Sequence, residues 1–273
     1  MHLASLHVYP VKSLRGLSPL AVEVDALGAA GDRRFMAVDP SGTFLTQRTH
    51  PRMAQVGAFL ESDHLVLRSD ARGEVRIARA PDRGAAVLPV IVWRSQGLQA
   101  EDCGDHPSAW LSEAIGSPCR LVRIGPAFDR PVLKPGAGVG DRVSFADAAP
   151  FLVTTLASLD RLNARLMEAG SEAVPMDRFR SNLVIAGSEA FAEDHWKRIR
   201  IGTVVFRSLG PCARCVVTTT DQLTGERGNQ PLTALAAFRR DPVEPSHVNF
   251  GQNLVNESKT GTLHIGDRVD ILE

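Results

Sequence analysis

The sequence predicts a mainly β fold, built as β-barrels with few helices and organised as two domains over 273 residues. Three observations lead to this prediction. Short runs of apolar and β-branched residues recur along the chain, separated by turn residues, as in barrels and sandwiches. Only three segments carry helix start and stop signals. A stretch rich in proline and glycine at residues 126–141 is typical of a linker, so we place the domains at residues 1–124 and 125–273.

The strands are short and evenly spaced. Leu20, Val22 and Val24 recur at every second position, which is the period of a half-buried strand. Further strands are predicted at residues 35–38, 43–46, 56–60, 64–68, 75–78 and 90–93 in the first half, and at 183–186, 203–208, 216–220 and 268–272 in the second. The segments at 35–38 and 43–46 are joined by a turn of Pro, Ser and Gly and therefore predict a hairpin.

Three helices are predicted. One covers residues 107–115 and ends at Gly116, because proline favours a first turn and glycine a helix end. A second begins with Ser158 as its N-cap, carries leucines on one side and ends at Gly170. The third, at residues 231–238, has the weakest pattern.

The composition excludes several classes of protein. The chain has 44% hydrophobic and 23% charged residues and a formal net charge of zero, so it is neither disordered nor basic enough to indicate a nucleic-acid partner. The N-terminus has no secretory signal pattern, and no apolar run approaches the ~20 residues that a membrane span requires. We therefore expect a soluble, cytoplasmic protein with no membrane association.

The pair Cys212-Ala-Arg-Cys215 is the sharpest local motif. It is compatible with half of a zinc site, a redox dithiol, a single metal-binding thiolate or two unrelated thiols. Cys103 and Cys119 are too far apart to supply a second pair, which disfavours a structural zinc site. The predicted strand after Cys215 disfavours a redox dithiol, which would precede a helix. A single thiolate beside Arg214 remains as the functional interpretation.

Three basic clusters lie at strand ends, where loops gather to form sites. They are Lys12-Ser13, Arg33-Arg34 and the segment from Arg178 through Arg180 to Asn182. Each could simply be solvated charge at the surface. Together they would suit an anionic cofactor, because Arg offers a planar fork to phosphate and Lys a point charge.

These segments, taken in order, resemble the MOSC family with its companion N-terminal β-barrel domain. The resemblance covers nearly the whole chain. Its landmarks are Tyr9-Pro-Val-Lys-Ser13, Gly31-Asp-Arg-Arg-Phe35, Thr46-Gln-Arg48, Asp102-Cys-Gly104, Phe179-Arg-Ser-Asn182, Ala192-Glu-Asp-His-Trp196, Cys212-Ala-Arg-Cys-Val-Val-Thr-Thr-Thr-Asp221 and Phe250-Gly-Gln-Asn253. The family members most similar in function are the amidoxime-reducing components and their bacterial counterparts.

The resemblance implies a molybdopterin-type molybdenum cofactor and the reduction of small N-hydroxylated or N-oxide substrates. It implies that Cys215 ligates the metal and that Asp147 is the acidic catalytic residue near it. The cofactor contacts that it implies are Lys12, Ser13, Arg34, Arg180, Asn182 and Arg214. Relatives often have hydroxyl residues after the acidic position, whereas this chain has Ala148-Ala149.

The sequence carries no iron–sulfur cysteine set and no dinucleotide fingerprint, so electrons are expected from a separate protein, either a flavoprotein reductase or a ferredoxin-like donor. Two alternatives stay open. MOSC domains also occur in molybdenum-cofactor sulfurases, which implies a possible sulfur-transfer role, although no pyridoxal-phosphate domain is present here. The other alternative is a non-enzymatic carrier of the cofactor.

Overall fold

Seventeen strands and three helices form the part of the chain that the computed structural model describes, residues 1–80 and 84–273. In chain order the strands are β1 (His2–Leu6), β2 (Ala21–Asp25), β3 (Gly28–Ala29), β4 (Phe35–Val38), β5 (Gly57–Leu60), β6 (His64–Ser69), β7 (Gly73–Ala78), β8 (Val87–Val92), β9 (Ser95–Asp102), β10 (Arg120–Ile124), β11 (Phe151–Thr155), β12 (Leu183–Ala186), β13 (Arg198–Ile201), β14 (Val204–Ala213), β15 (Asn249–Asn256), β16 (Gly261–His264) and β17 (Val269–Ile271). The helices are α1 (Asp105–Ile115), α2 (Leu156–Glu168) and α3 (Leu232–Phe238). The mainly β prediction is confirmed.

Seven strands form a barrel in the order β1-β12-β11-β15-β14-β13-β17. Its two edge strands meet, because the Leu3 amide donates to the Asp267 carbonyl at 2.9 Å and the Val269 amide to the Met1 carbonyl at 3.1 Å. The interior is apolar, with Phe151 and Phe206 packed edge to face at 5.1 Å. Closure in this way removes the open edges that would otherwise invite pairing with another chain.

The first half of the chain forms two smaller sheets, β4-β10-β9-β8 and β5-β6-β7. Helix α1 covers one side, where its Leu111 and Ile115 are buried in a cluster with Met53 and Leu65. Apolar residues at every second position of β6 and β7 supply this core, as alternation predicts.

The two halves of the chain are interleaved. Strand β1 pairs antiparallel with β12, and β2 pairs with β16, although β1 and β2 lie within the first 25 residues. The opening segment therefore belongs to the barrel that the second half builds. The division at residues 1–124 and 125–273 stays a prediction.

Several element boundaries match the sequence-based prediction, and others do not. The strands at residues 35–38 and 183–186 are present with those bounds. Thr155, not Ser158, is the N-cap of α2: the Ser158 amide donates to the Thr155 Oγ1 at 3.1 Å, and Ser158 lies inside the first turn. Residues 43–46 form only isolated bridges, from Phe44 to Val38 and from Thr43 to Ile91.

The largest local error concerns the residues after Cys215. The structure has a 3₁₀ turn at Val216–Thr219, where the β-branched composition predicted a strand. Cys212 instead lies on strand β14. The turn is stabilised because Thr218 donates both its amide, at 3.0 Å, and its hydroxyl, at 2.9 Å, to the Cys215 carbonyl. A local side-chain hydrogen bond of this kind competes with strand formation.

None of the helices found in residues 1–80 and 84–273 is long and apolar enough to cross a membrane.

Candidate functional site

A cleft of about 900 Å³ lies between the two halves of the chain. It brings together residues that are far apart in sequence. The predicted site residues that line it are Lys12, Ser13, Asp147, Arg180, Asn182, Arg214 and Cys215. The loops after β1 and β14 and the loop before β12 carry most of these side chains, and such loops often form sites on a rigid scaffold.

Arg34 is the predicted site residue that the structure does not bring to this cleft. Its Nη2 donates to both oxygens of Asp25, at 2.7 and 2.9 Å, and to the Ala29 carbonyl at 3.2 Å. The neighbouring Arg33 lines the cleft instead. Consecutive residues beside a strand point in opposite directions, so the sequence cluster could not decide which of the two arginines faces the site.

Two guanidinium groups stack on one aromatic ring at the base of the cleft. The Arg33 and Arg180 guanidinium carbons lie 4.3 and 4.2 Å from the centre of the Tyr9 ring. A Cβ atom on Gly16 would lie 2.5 Å from the Tyr9 ring, so glycine leaves room for it. Burial lowers the pKa of Arg180 to about 10, which still leaves it protonated at neutral pH.

The two terminal nitrogens of Arg180, Nη1 and Nη2, are buried without a hydrogen-bond partner among the residues that the structure describes. Arg180 also has a positive φ of 54°, which is uncommon for a residue other than glycine. A buried, unpartnered cation is costly, and a planar guanidinium fork fits an anionic oxygen group. The arrangement therefore fits a ligand that carries phosphate.

Arg214 connects the cysteine pair to this cationic base. Its Nη1 donates to the Cys212 Sγ at 2.9 Å and its Nη2 to the Phe179 carbonyl at 2.7 Å. Its Nε is buried and, within the described ranges, has no hydrogen-bond partner. Cys215 faces the same cleft, and all four cysteines are free thiols.

Asn182 and Ser13 line the cleft and are each held by hydrogen bonds to neighbouring residues. Asn182 is buried; its Nδ2 donates to the His7 carbonyl at 3.1 Å, and its Oδ1 accepts from Arg33 Nη1 at 3.1 Å. It thereby holds Arg33 in place. Ser13 has a positive φ of 66°, and its carbonyl accepts from the Gln47 Nε2 at 2.8 Å.

Lys12 and Asp147 form an ion pair on the cleft wall. Lys12 also donates to the Phe145 carbonyl at 2.8 Å. Burial lowers the pKa of Lys12 to about 8, although the charge of Asp147 opposes this shift. Burial acts to raise the pKa of Asp147, but the Lys12 ammonium, Arg48 and the indole N–H of Trp93 together lower it below its ordinary value. Asp147 lies between the two halves of the chain, and its side chain is 58% exposed because it faces the open cleft.

The sequence-based reasoning missed Trp93 and Arg130. The Trp93 Nε1 donates to the Asp147 Oδ1 at 3.1 Å, and Arg130 donates to the Ser144 carbonyl at 2.7 Å and to the Asp147 carbonyl at 3.1 Å. Both residues stand outside the recognised motifs. Trp93 was assigned to a predicted strand, and Arg130 to a predicted linker, and neither pattern signals a role in a site.

Known proteins match both halves of the chain. Residues 1–118 match the MOSC N-terminal beta barrel domain, and residues 140–270 match the MOSC domain. Mitochondrial amidoxime-reducing component 1 of Mus musculus is 34% identical over 99% of this chain and 82% of that protein. The chain belongs to the MOSC family of amidoxime-reducing components. The protein of the same name from Homo sapiens is 32% identical to the MOSC chain, over 99% of it and 82% of the human protein.

A second kind of relative shares the MOSC region. Molybdenum cofactor sulfurase of Danio rerio is 31% identical over 96% of the MOSC chain, but the match covers 33% of the sulfurase.

The names of the relatives contradict the cytoplasmic location expected from the sequence. The mouse and human proteins, and a relative from Bos taurus that is 31% identical, are called mitochondrial. The expectation was wrong because it rested on a missing secretory pattern, which does not distinguish the cytoplasm from mitochondria.

Proposed function

We propose that this chain is a molybdenum-cofactor-dependent reductase of N-hydroxylated or N-oxide compounds. The observation that carries the proposal is the unpartnered fork of Arg180, buried in the same cleft as the free thiol of Cys215. The Arg180 guanidinium suits the anionic end of a pterin cofactor, and the Cys215 thiol suits its metal. Membership of the amidoxime-reducing components supports the reaction type.

Within this proposal, Arg180, Arg214 and Arg33 hold the cofactor phosphate and pterin. Lys12, Ser13 and Asn182 complete the contacts, with Asn182 acting through its hydrogen bond to Arg33. Arg34 is left out of this set, because it does not line the cleft. Cys215 is the protein ligand to the metal, since a thiolate is a good ligand for a soft metal centre.

The bound cofactor would supply a two-electron metal centre that takes oxygen from the substrate. The overall reaction consumes two electrons and two protons, turning an N–OH group into N–H and releasing water. Asp147 stays ionised, because three donors face it from Lys12, Arg48 and Trp93, and it therefore acts by fixing those donors and orienting the substrate. Phe44 and Trp93, with their rings 4.7 Å apart, add aromatic surface to this wall.

The electrons come from a separate protein, either a flavoprotein reductase or a ferredoxin-like donor. We propose this because the sequence offers neither an iron–sulfur cysteine set nor a dinucleotide fingerprint. Purified protein is expected not to oxidise NADH or NADPH in the presence of substrate, and to turn over when reduced viologen is added. Direct turnover with NADPH by the pure chain would contradict this part of the proposal.

Sulfur transfer is the second candidate function, favoured by the sulfurase relative and by the contact of Arg214 with the Cys212 sulfur. One experiment separates the candidates. Protein from a host that makes the cofactor is analysed for molybdenum and sulfane sulfur, and is then tested with benzamidoxime and reduced viologen. Molybdenum with turnover supports the reductase. Molybdenum without turnover indicates a carrier, and sulfane sulfur without molybdenum indicates sulfur transfer.

A further inference from the structure

An aromatic and a cationic side chain stand together at the tip of a hairpin on the outer wall of the cleft. Strands β8 and β9 pair at Val92 and Ser95, which leaves Trp93 and Arg94 as the two turn residues. Both line the cleft. The hairpin tip is held there because the Trp93 indole donates to Asp147 and the Ser95 hydroxyl accepts from the Arg130 Nε at 3.1 Å.

Trp93 is an unfavourable residue for its backbone position. It is the first of two turn residues and has a φ of 55°, a position where two-residue hairpins favour glycine. A bulky residue in that conformation is rare, and the strain costs roughly 1–3 kcal/mol. The Trp93 side chain also contributes little to core packing, because it remains 41% exposed. The Trp93 ring instead lines the cleft.

Positive charge is concentrated in this cleft although the chain as a whole is neutral. Among the described residues that line it, eight are basic, namely Lys12, Arg33, Arg48, Arg94, Arg130, Lys134, Arg180 and Arg214, and one is acidic, namely Asp147. The proposed cofactor contacts take Lys12, Arg33, Arg180 and Arg214, and Arg130 is occupied by backbone carbonyls. Arg48, Arg94 and Lys134 remain on the outer part.

The outer cations lie beside aromatic surface. The Arg48 guanidinium carbon stacks 4.2 Å from the centre of the Trp93 ring, and the Phe44 ring packs against that ring at 4.7 Å. Arg48 and Phe44 cover part of the indole, and the part that remains exposed offers apolar surface next to Arg94 in the turn. A ligand with a flat ring and an anionic group would suit both the aromatic surface and the nearby positive charge. Its ring can pack against the indole while its anionic group pairs with a guanidinium.

We propose that Trp93 and Arg94 form a substrate-selecting subsite that favours planar N-hydroxylated compounds bearing an anionic substituent. This inference rests on the proposed reductase function and deepens it by naming the substrate class. The substrate ring lies on Trp93, its carboxylate or phosphate pairs with Arg94, and its N–OH group points inward to Cys215. Lys134, which donates to the Pro211 carbonyl at 3.4 Å beside Cys212, adds positive potential on the facing side.

The test compares two substrates that differ in one charge. Cofactor-loaded protein is assayed with benzamidoxime and with 4-carboxybenzamidoxime, using reduced viologen as electron donor. We expect the wild type to have the higher kcat/KM for the carboxylated compound. In Arg94→Gln the ratio of the two kcat/KM values should fall about tenfold, as for loss of one charged contact. Arg94→Lys should restore part of it, and 0.5 M salt should reduce the wild-type preference.

A matched control removes an arginine elsewhere. Arg268→Gln makes the same charge change at a residue that does not line the cleft and whose side chain is 84% exposed, and it should leave the ratio unchanged. An unchanged ratio in Arg94→Gln, or equal loss of kcat/KM for both substrates, would overturn the proposal. So would a wild type that prefers the uncharged compound.

Calorimetric binding of benzamide and 4-carbamoylbenzoate, which cannot be reduced at nitrogen, provides a readout that does not depend on turnover. Tighter binding of the carboxylated amide, lost in Arg94→Gln, supports the subsite even if neither amidoxime is reduced. That combination would reject the reductase function while retaining the subsite. Equal binding of the two amides would reject the subsite whatever the turnover shows.

Discussion

Arg33 donates a hydrogen bond from its Nη2 to the backbone carbonyl of Arg180 at 3.1 Å, so the cleft holds two cations together on the Tyr9 ring. The charge of Arg33 is one of the causes that lower the pKa of Arg180, after burial. Neighbouring cations repel, and an anionic ligand between them would relieve that repulsion. The base of the cleft is therefore better suited to the loaded protein than to the empty one.

Replacing Arg180 with alanine should lower molybdenum content about tenfold or more, because a charged hydrogen bond contributes about 1.5–3 kcal/mol. The thermal midpoint of the cofactor-free protein should change little, since the variant loses a stacking contact but also an unpartnered buried charge. Metal analysis and thermal unfolding measure the two effects. Arg200→Ala, which removes an exposed arginine paired with Asp270, serves as the control. Unfolding of the cofactor-free variant with unchanged metal content per folded molecule would contradict the assignment.

Cys215→Ser should abolish reductase activity, because a neutral hydroxyl is a poor substitute for a thiolate on molybdenum. Some cofactor should remain bound through its contacts with the arginines. Cys212→Ser is the matched control and should keep most of the activity. Molybdenum-edge X-ray absorption should show the loss of one sulfur neighbour in the first variant alone. The reverse pattern would assign the ligand to Cys212.

The Lys12 ammonium should titrate near pH 8 in the cofactor-free protein, because burial lowers its pKa from 10.5 to about 8. Carbon-13 NMR of labelled lysine can resolve this, since the chain has only four lysines. In Asp147→Asn the pKa should fall further, because the carboxylate that favours the charged ammonium is gone. A Lys12 signal that titrates above pH 10 in the wild type would contradict the conclusion that burial outweighs the charge of Asp147.

The same shift has a consequence for stability. The folded pKa of Lys12 lies below its unfolded value, so between about pH 8 and pH 10.5 the unfolded chain holds a proton that the folded chain has lost. This group therefore makes the free energy of unfolding rise with pH in that window. Below about pH 8 both states are protonated and the burial cost is present in full. Lys12→Met should remove this pH-dependent contribution in urea unfolding measurements.

A fragment of residues 125–273 should not fold alone, because β1 completes the barrel between β12 and β17. We expect poor dispersion in its proton–nitrogen NMR spectrum. Adding residues 1–31 as a separate peptide should restore part of the native spectrum, since β1 to β3 lie in that segment. A well-dispersed spectrum of the fragment alone would support a domain boundary near residue 125.

The sequence predicted the fold class, and most of the residues that it singled out line one cleft. The two predictions rest on different kinds of information. Alternating residues revealed strands such as β4 and β12 directly. The positions of Lys12, Asp147 and Arg180 came from resemblance to a family, because their proximity depends on packing between distant segments. Arg33 lines the cleft whereas the predicted Arg34 does not, a difference that the run of two arginines in the sequence could not decide.

Two further errors have local physical causes. The segment after Cys215 has the composition of a strand, yet Thr218 bonds back to the Cys215 carbonyl and closes a 3₁₀ turn. Trp93 was predicted as a strand residue, whereas it occupies a hairpin position that usually takes glycine. At Trp93 the local preference is overruled by a contact with Asp147 at the cleft, where departures from local rules are most expected.

The seam of the barrel joins residues 1–3 to residues 266–269, so the closing contacts span almost the whole length of the chain. Contacts of such long range form slowly, because closing a long loop costs conformational entropy before the contact stabilises the fold. Strand β17 must be synthesised before β1 can pair along its second edge. A nascent chain would therefore leave one edge of β1 unpaired until β17 has been made.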